Sequence, residues 1–104
     1  MLIVTIESIP GRRFEALGVV RGATVQSKNL GHDIMANFRT LVGGEIAAYS
    51  DMLTEARQIA TGRMVKQAEE LGADAVVGLR YASASVMQGA AECIAYGTAV
   101  KFVD

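Results

Sequence analysis

Between Gly43 and Tyr81 the chain writes one long amphipathic segment, GGEIAAYSDMLTEARQIATGRMVKQAEEL, then a glycine at position 72, then at once a strand-like run, ADAVVGLRY. Ile46, Tyr49, Leu53, Ala56, Ala60, Met64, Ala68 and Leu71 recur at spacings of three and four, which predicts a single helix with one apolar stripe. Met52 and Ile59 widen that stripe, while Asp51, Thr54, Glu55, Gln58, Lys66 and Glu70 take other faces. Gly72 can adopt the left-handed conformation that closes a helix. Gly62, inside the helix, costs about 1 kcal/mol relative to Ala and predicts a close crossing at that point.

The rest of the chain reads as strand. Leu2 to Ile6 is short and ends before Pro10-Gly11, a turn pair. Arg13 to Ser27 is rich in β-branched residues, and strict alternation puts Gly18 and Gly22 on the face of Phe14, Ala16, Val20 and Thr24. Ala75 to Val86 and Glu92 to Val103, joined around Met87-Gln88-Gly89, form an antiparallel hairpin most simply. Lys28 to Phe38 carries the least pattern and reads as a loop, with Asp33 available as a helix cap. The resulting class is α+β, two layers, with one long helix on an antiparallel sheet. A helix of about 27 residues spans roughly 40 Å and matches a strand of about 12 residues.

In the last strand Ile94, Tyr96, Thr98, Val100 and Phe102 share one face, and Cys93, Ala95, Gly97, Ala99 and Lys101 share the other. We expect the bulky face to meet the helix. The small-residue face is then left over, and sister copies of the chain are the natural cover for it. With Trp absent and aromatics at 6%, the interior has to be filled by close approach of backbones with small side chains between them.

Composition excludes several classes. At 104 residues, half of them apolar, the chain is one domain, 1–104, able to build a core without staples. A net charge of -1 leaves no electrostatic footprint for nucleic acid or an anionic membrane. Cys93 is the single cysteine, in keeping with a reducing, cytoplasmic setting. The apolar run near the N-terminus is too short for a signal peptide or a membrane span.

Candidate functional residues fall into three sets. Arg39, Glu45 and Tyr49 bracket the Gly43-Gly44 break, where amides beside a carboxylate and a phenol form a small polar pocket, or else the set makes an intersubunit salt bridge or Glu45 simply caps the helix. Arg80, Glu92 and Tyr96 form a second ligand-binding set, or a cross-strand ion pair beside a tyrosine. Cys93 and His32 are the soft-metal donors, in different elements and without a CxxC or HxxxH. No nucleophile has a local base, so no catalytic residue is assigned; an enzyme built here would use Glu45 with Tyr49 or Arg39.

GRRFEALGVVRGATVQS, LGHDIMANFRTLVGGE, GGEIAAYSDMLTEAR, GRMVKQAEELGADAVVGLRY and AAECIAYGTAVKF together closely resemble the signature blocks of the YbjQ-like family, over nearly the whole chain. The resemblance implies a subunit fold similar to that of dodecin, and assembly into a ring-shaped homopentamer. It also brings a heavy-metal-binding label, which the sparse donor set here fits badly. The dodecin likeness names flavin as a ligand, but with Tyr49, Tyr81 and Tyr96 as the only tyrosines and no Trp, no cofactor is identified. The sequence thus points to a self-assembling module that holds a small ligand or ion at intersubunit clefts, with metal sequestration as the alternative.

Overall fold

The computed structural model describes residues 1–27 and 44–104, the side chains of 44–46 excepted. Strand β1 is Leu2–Ile3, β2 is Phe14–Ser27, helix α1 is Gly44–Glu70, β3 is Ala75–Met87 and β4 is Ala90–Phe102. They form one sheet in the order β1, β3, β4, β2 with α1 across one face. Both long pairings are antiparallel, but β1 runs parallel to β3, so the sheet is mixed rather than purely antiparallel.

The helix stops as its glycine predicts. Gly72 takes a φ of 78°, its N–H donates to the Glu69 carbonyl, and the N–H of Ala73 donates to the Ala68 carbonyl. That pair of bonds satisfies the last-turn carbonyls and releases the chain directly into β3. At the far end of the sheet Gln88 and Gly89 join β3 to β4, with Gly89 at a φ of 76°.

The face expected to meet the helix is not the face that does. Cys93, Ala95 and Ala99 of β4, with Val20, Val76 and Leu79, pack against Ala56, Ala60, Met64 and Ala68 of α1. Small residues line both surfaces, so helix and sheet approach closely, and bulky side chains between them would hold the layers apart. The close contact sits at Gly22 of β2, where a Cβ would run into the Ala60 carbonyl, the Met64 amide and the Arg63 Cβ. Gly62 is not that crossing: a Cβ there would meet nothing within 4 Å.

Two irregularities set which residues reach which face. In β2 the register slips between Ala16 and Gly18, with Gly18 at a φ of 142°, so Phe14 and Ala16 lie opposite Phe102 and Val100 rather than on the face of Val20 and Gly22. In β3 it slips between Val77 and Arg80, with Gly78 at a φ of 66°. A bulge of this kind inserts one residue and changes the alternation. The outer face therefore carries a second, smaller core at its near end, where Ala75, Val77 and Val100 pack with Val4, Ile9, Phe14 and Phe102. The N-terminal segment makes this core, bonded beyond β1 by Val4 N–H to the Val76 carbonyl and Gly78 N–H to the Ile6 carbonyl.

Candidate functional site

Beyond that small core the outer face has no cover among the described residues. Successive rows cross it from β2 through β4 to β3. Val19 lies opposite Thr98; Arg21, Tyr96 and Arg80 form one row; Ala23, Ile94 and Ala82 the next; Val25, Glu92 and Ala84 the one after, before Ser27, Ala90 and Met87 at the end of the sheet. Val19 is 75% exposed and Val25 58%. Tyr96 stands between two arginines, on strands that flank its own at about 4.8 Å. Arg80 Nη1 donates to the Thr5 carbonyl at 3.0 Å and to the Leu79 carbonyl at 2.8 Å, which ties the N-terminal segment to the edge of the sheet. The row thus joins a cationic, aromatic surface to an apolar one.

Of the residues singled out by sequence, the structure brings Arg80 and Tyr96 together as direct neighbours. Glu92 shares their face but lies opposite Ala84, four residues along β4 from Tyr96, so it is not the cross-strand partner of Arg80. Tyr49 is half-buried on the N-terminal half of α1. His32, Arg39 and the capping role of Asp33 lie outside the described residues, as does the side chain of Glu45. Arg21 completes the row and was missed, because pairing Arg21 with Tyr96 requires the β2–β4 register, which a bulge at Leu17 shifts by one.

Of the heavy-metal donor set, Cys93 alone lies among the described residues. Cys93 is 2% exposed and belongs to the helix–sheet core, between Ala91 and Ala95, facing α1 rather than a surface that copies of the chain could share. Among the described residues no three of His, Cys, Asp and Glu converge. A soft cation needs several such ligands. The described residues do not fit one.

A groove lies on the helix side, unforeseen from the sequence. Thr54, Arg57, Gln58, Thr61 and Gly62 of α1 and Tyr81 of β3 line an open groove of about 500 Å³. The hydroxyls of Thr61 and Tyr81 are 2.7 Å apart and hydrogen-bonded, and Thr61 also donates to the Arg57 carbonyl at 2.7 Å. Arg57 Nη2 donates to Thr54 Oγ1 at 3.2 Å. The helical spacing of 54, 57, 58 and 61 is visible in sequence, but Tyr81 joins them only because the β3 bulge turns it to the helix face.

Two carboxylates with lowered pKa values are structural. The Phe102 N–H donates to Asp74 Oδ2 at 2.8 Å, and this bond, helped by Lys101 at 3.5 Å, holds the Asp74 pKa below its ordinary value. Arg12 Nε donates to Asp104 at 3.0 Å, with the Arg13 N–H adding a second bond, and Asp104 is lowered likewise. The Arg12 guanidinium also lies 3.7 Å over the Phe102 ring. Together they pin the C-terminal residues at the near end of the sheet.

These features define a two-layer α+β fold whose long helix packs on a mixed four-stranded sheet. Residues 1–103 match the family model YbjQ, described as "Putative heavy-metal-binding". A UPF0145 protein of Thermotoga maritima is 63% identical over 102 residues, covering 97% of this chain and 96% of its own. Another from Clostridium novyi is 54% identical over 103 residues, covering 99% of this chain and all of its own. The chain belongs to the YbjQ-like, or UPF0145, family. Among solved structures, a DUF74-family protein of Pediococcus pentosaceus, itself described as of unknown function, superposes with a TM-score of 0.63 at 21% identity, over 99% of this chain and 98% of that one. At that identity the likeness concerns the fold alone.

Proposed function

We propose that this protein is a self-assembling, non-catalytic binding module, in which copies of the chain cover the bare part of the outer sheet face and enclose a small ligand or ion beside Arg21, Tyr96 and Arg80. The observation that carries the reading is the exposure of Val19 and Val25 on β2, one on either side of that row.

A ring of five is the assembly that the family resemblance implies, and it is part of the proposal. The cytoplasm is the setting we assign to it, from the single buried thiol; no described helix is long and apolar enough to cross a membrane. Heavy-metal sequestration is not adopted, because Cys93 is its one described soft donor and lies in the core.

Native mass spectrometry of protein purified without metal resin tests the reading. Val19→Asp with Val25→Asp should reduce the subunit count while circular dichroism keeps the wild-type signature. A wild-type chain that stays monomeric at micromolar concentration refutes the assembly.

A further inference from the structure

The groove on the helix side raises a separate question, which is why α1 keeps a glycine at position 62. An interior helix glycine is unfavourable relative to alanine, and it usually persists because another backbone presses against it. No described residue does so: a Cβ at Gly62 would meet nothing within 4 Å. Yet Gly62 lines the groove, so the space it leaves open is the floor of a concavity of about 500 Å³, a size in the range of small-molecule sites.

The chemistry of the walls narrows the occupant. Arg57 is the one charged group among the lining residues, and no carboxylate lines the groove. A guanidinium has five N–H donors; the bond to Thr54 uses one, and among the described residues no carboxylate pairs with Arg57. Such a fork is suited to a planar carboxylate or to a phosphate. Opposite it stands Tyr81, 45% exposed, its hydroxyl held by Thr61 so that the ring keeps one orientation. The ring and the bare backbone at Gly62 make an apolar slot, and the Gln58 amide stands at its side.

We propose that this groove is a binding site for a small organic anion, a carboxylate or phosphate ester whose flat apolar body lies between Tyr81 and Gly62 while Arg57 takes the charge. The site is built within one chain, on the opposite side of the sheet from the surface assigned to assembly. It stands whether or not copies associate.

Phenyl phosphate and benzoate are the probes, titrated into the full-length protein and followed by amide chemical shifts and by tyrosine fluorescence, which no tryptophan obscures. The result expected is a saturable change confined to residues 54–62 and to Tyr81, with the stronger of the two probes identifying the headgroup. Inorganic phosphate, lacking the ring, and benzyl alcohol, lacking the charge, should bind at least tenfold more weakly. Arg57→Gln should lower affinity at least tenfold, and Gly62→Leu should abolish binding while the thermal midpoint is held or raised. Failure of both aromatic anions to saturate overturns the proposal, as does equal affinity in Arg57→Gln. Should Gly62→Leu instead change the subunit count and leave anion affinity intact, the groove belongs to a neighbouring copy and the proposal falls.

Discussion

Replacing Gly22 by alanine adds a single methyl group at the tightest point of the molecule. The new Cβ would collide with the Ala60 carbonyl and the Met64 amide of α1, and with the Arg63 Cβ at 2.7 Å. Two of these three neighbours are helix backbone, which cannot rotate aside as a side-chain tip can. Non-bonded heavy atoms settle near 3.5 Å, so α1 has to lift from β2 by about 1 Å along the contact. That lift also loosens Val20, Ala60 and Met64, all fully buried. Overpacked cores lose about 1–3 kcal/mol, and a clash against rigid backbone belongs at the top of that range, about 3 kcal/mol. With a urea slope of about 1–3 kcal/mol per molar, the midpoint should fall by at least about 1 M. Equilibrium urea unfolding read by far-ultraviolet circular dichroism, at matched protein concentration, measures it. The companion variant Gly62→Ala, with open space around it, should be more stable than wild type by about 1 kcal/mol. A Gly22→Ala variant within about 0.5 kcal/mol of wild type would show that the helix does not rest on β2 as described.

Four further outcomes follow from the same packing. Met64→Ala, which empties a fully buried position, should cost about 2–5 kcal/mol in the same urea assay. Gln67→Ala, which strips the 2.7 Å acceptor from the Arg21 N–H, should cost about 0.5–1.5 kcal/mol and speed aggregation measured by light scattering. Asp74 and Asp104 both have folded pKa values below the unfolded one, so the stability they contribute is present above about pH 4 and is lost as pH falls through the lowered values. Acid titration of the unfolding midpoint should therefore show a decline below about pH 4, shallower in Asp74→Asn. Cys93→Ser should leave zinc or cadmium uptake in equilibrium dialysis unchanged, since the thiol lies in the core; a lost equivalent of metal would restore the heavy-metal reading.

The elements were legible in the sequence because each has a local cause. The spacing of Ala56, Ala60, Met64 and Ala68 predicts α1, and Gly72 ends it. What escaped was the choice of face. Ranking faces by bulk put Ile94, Tyr96 and Phe102 under the helix, although the scarcity of aromatics already called for closely approaching backbones. The alanines of α1 need small partners, and Cys93, Ala95, Gly97 and Ala99 supply them. The bulges at Leu17 and Gly78 were illegible for another reason. A slip by one residue is fixed by pairing between distant segments, and no single strand displays it. Arg21, on the outer face, and Tyr81, in the groove, were lost with those bulges.

The two long edges of the sheet differ in a way that bears on how copies meet. On the outer edge of β2 the helix reaches over: Gln67 accepts from the Arg21 N–H, and Arg63 donates to the Ala23 carbonyl at 2.6 Å. Those groups are engaged, so strand addition there has to displace both side chains. On the other side β1 and the N-terminal segment pair with β3 only as far as Leu79, whose N–H bonds the Val4 carbonyl. From Ala82 to Met87 the β3 side chains are exposed, and that edge has no backbone partner among the described residues. An unpaired strand edge is a template for another chain. The bare rows of the outer face adjoin the same stretch, so one neighbouring copy can satisfy edge and face together. If so, Ser83→Pro and Ser85→Pro should affect the subunit count alike, and Ala84→Pro differently. In an antiparallel strand alternate residues point their N–H groups toward and away from a given neighbour. Both serines lie on the helix face of β3, opposite Cys93 and Ala91, and neighbours of opposite parity such as Ala84 supply the contrast. Proline scanning across 82–86, read by native mass spectrometry, should therefore alternate in its effect on assembly, and a flat profile would argue that copies meet by faces alone.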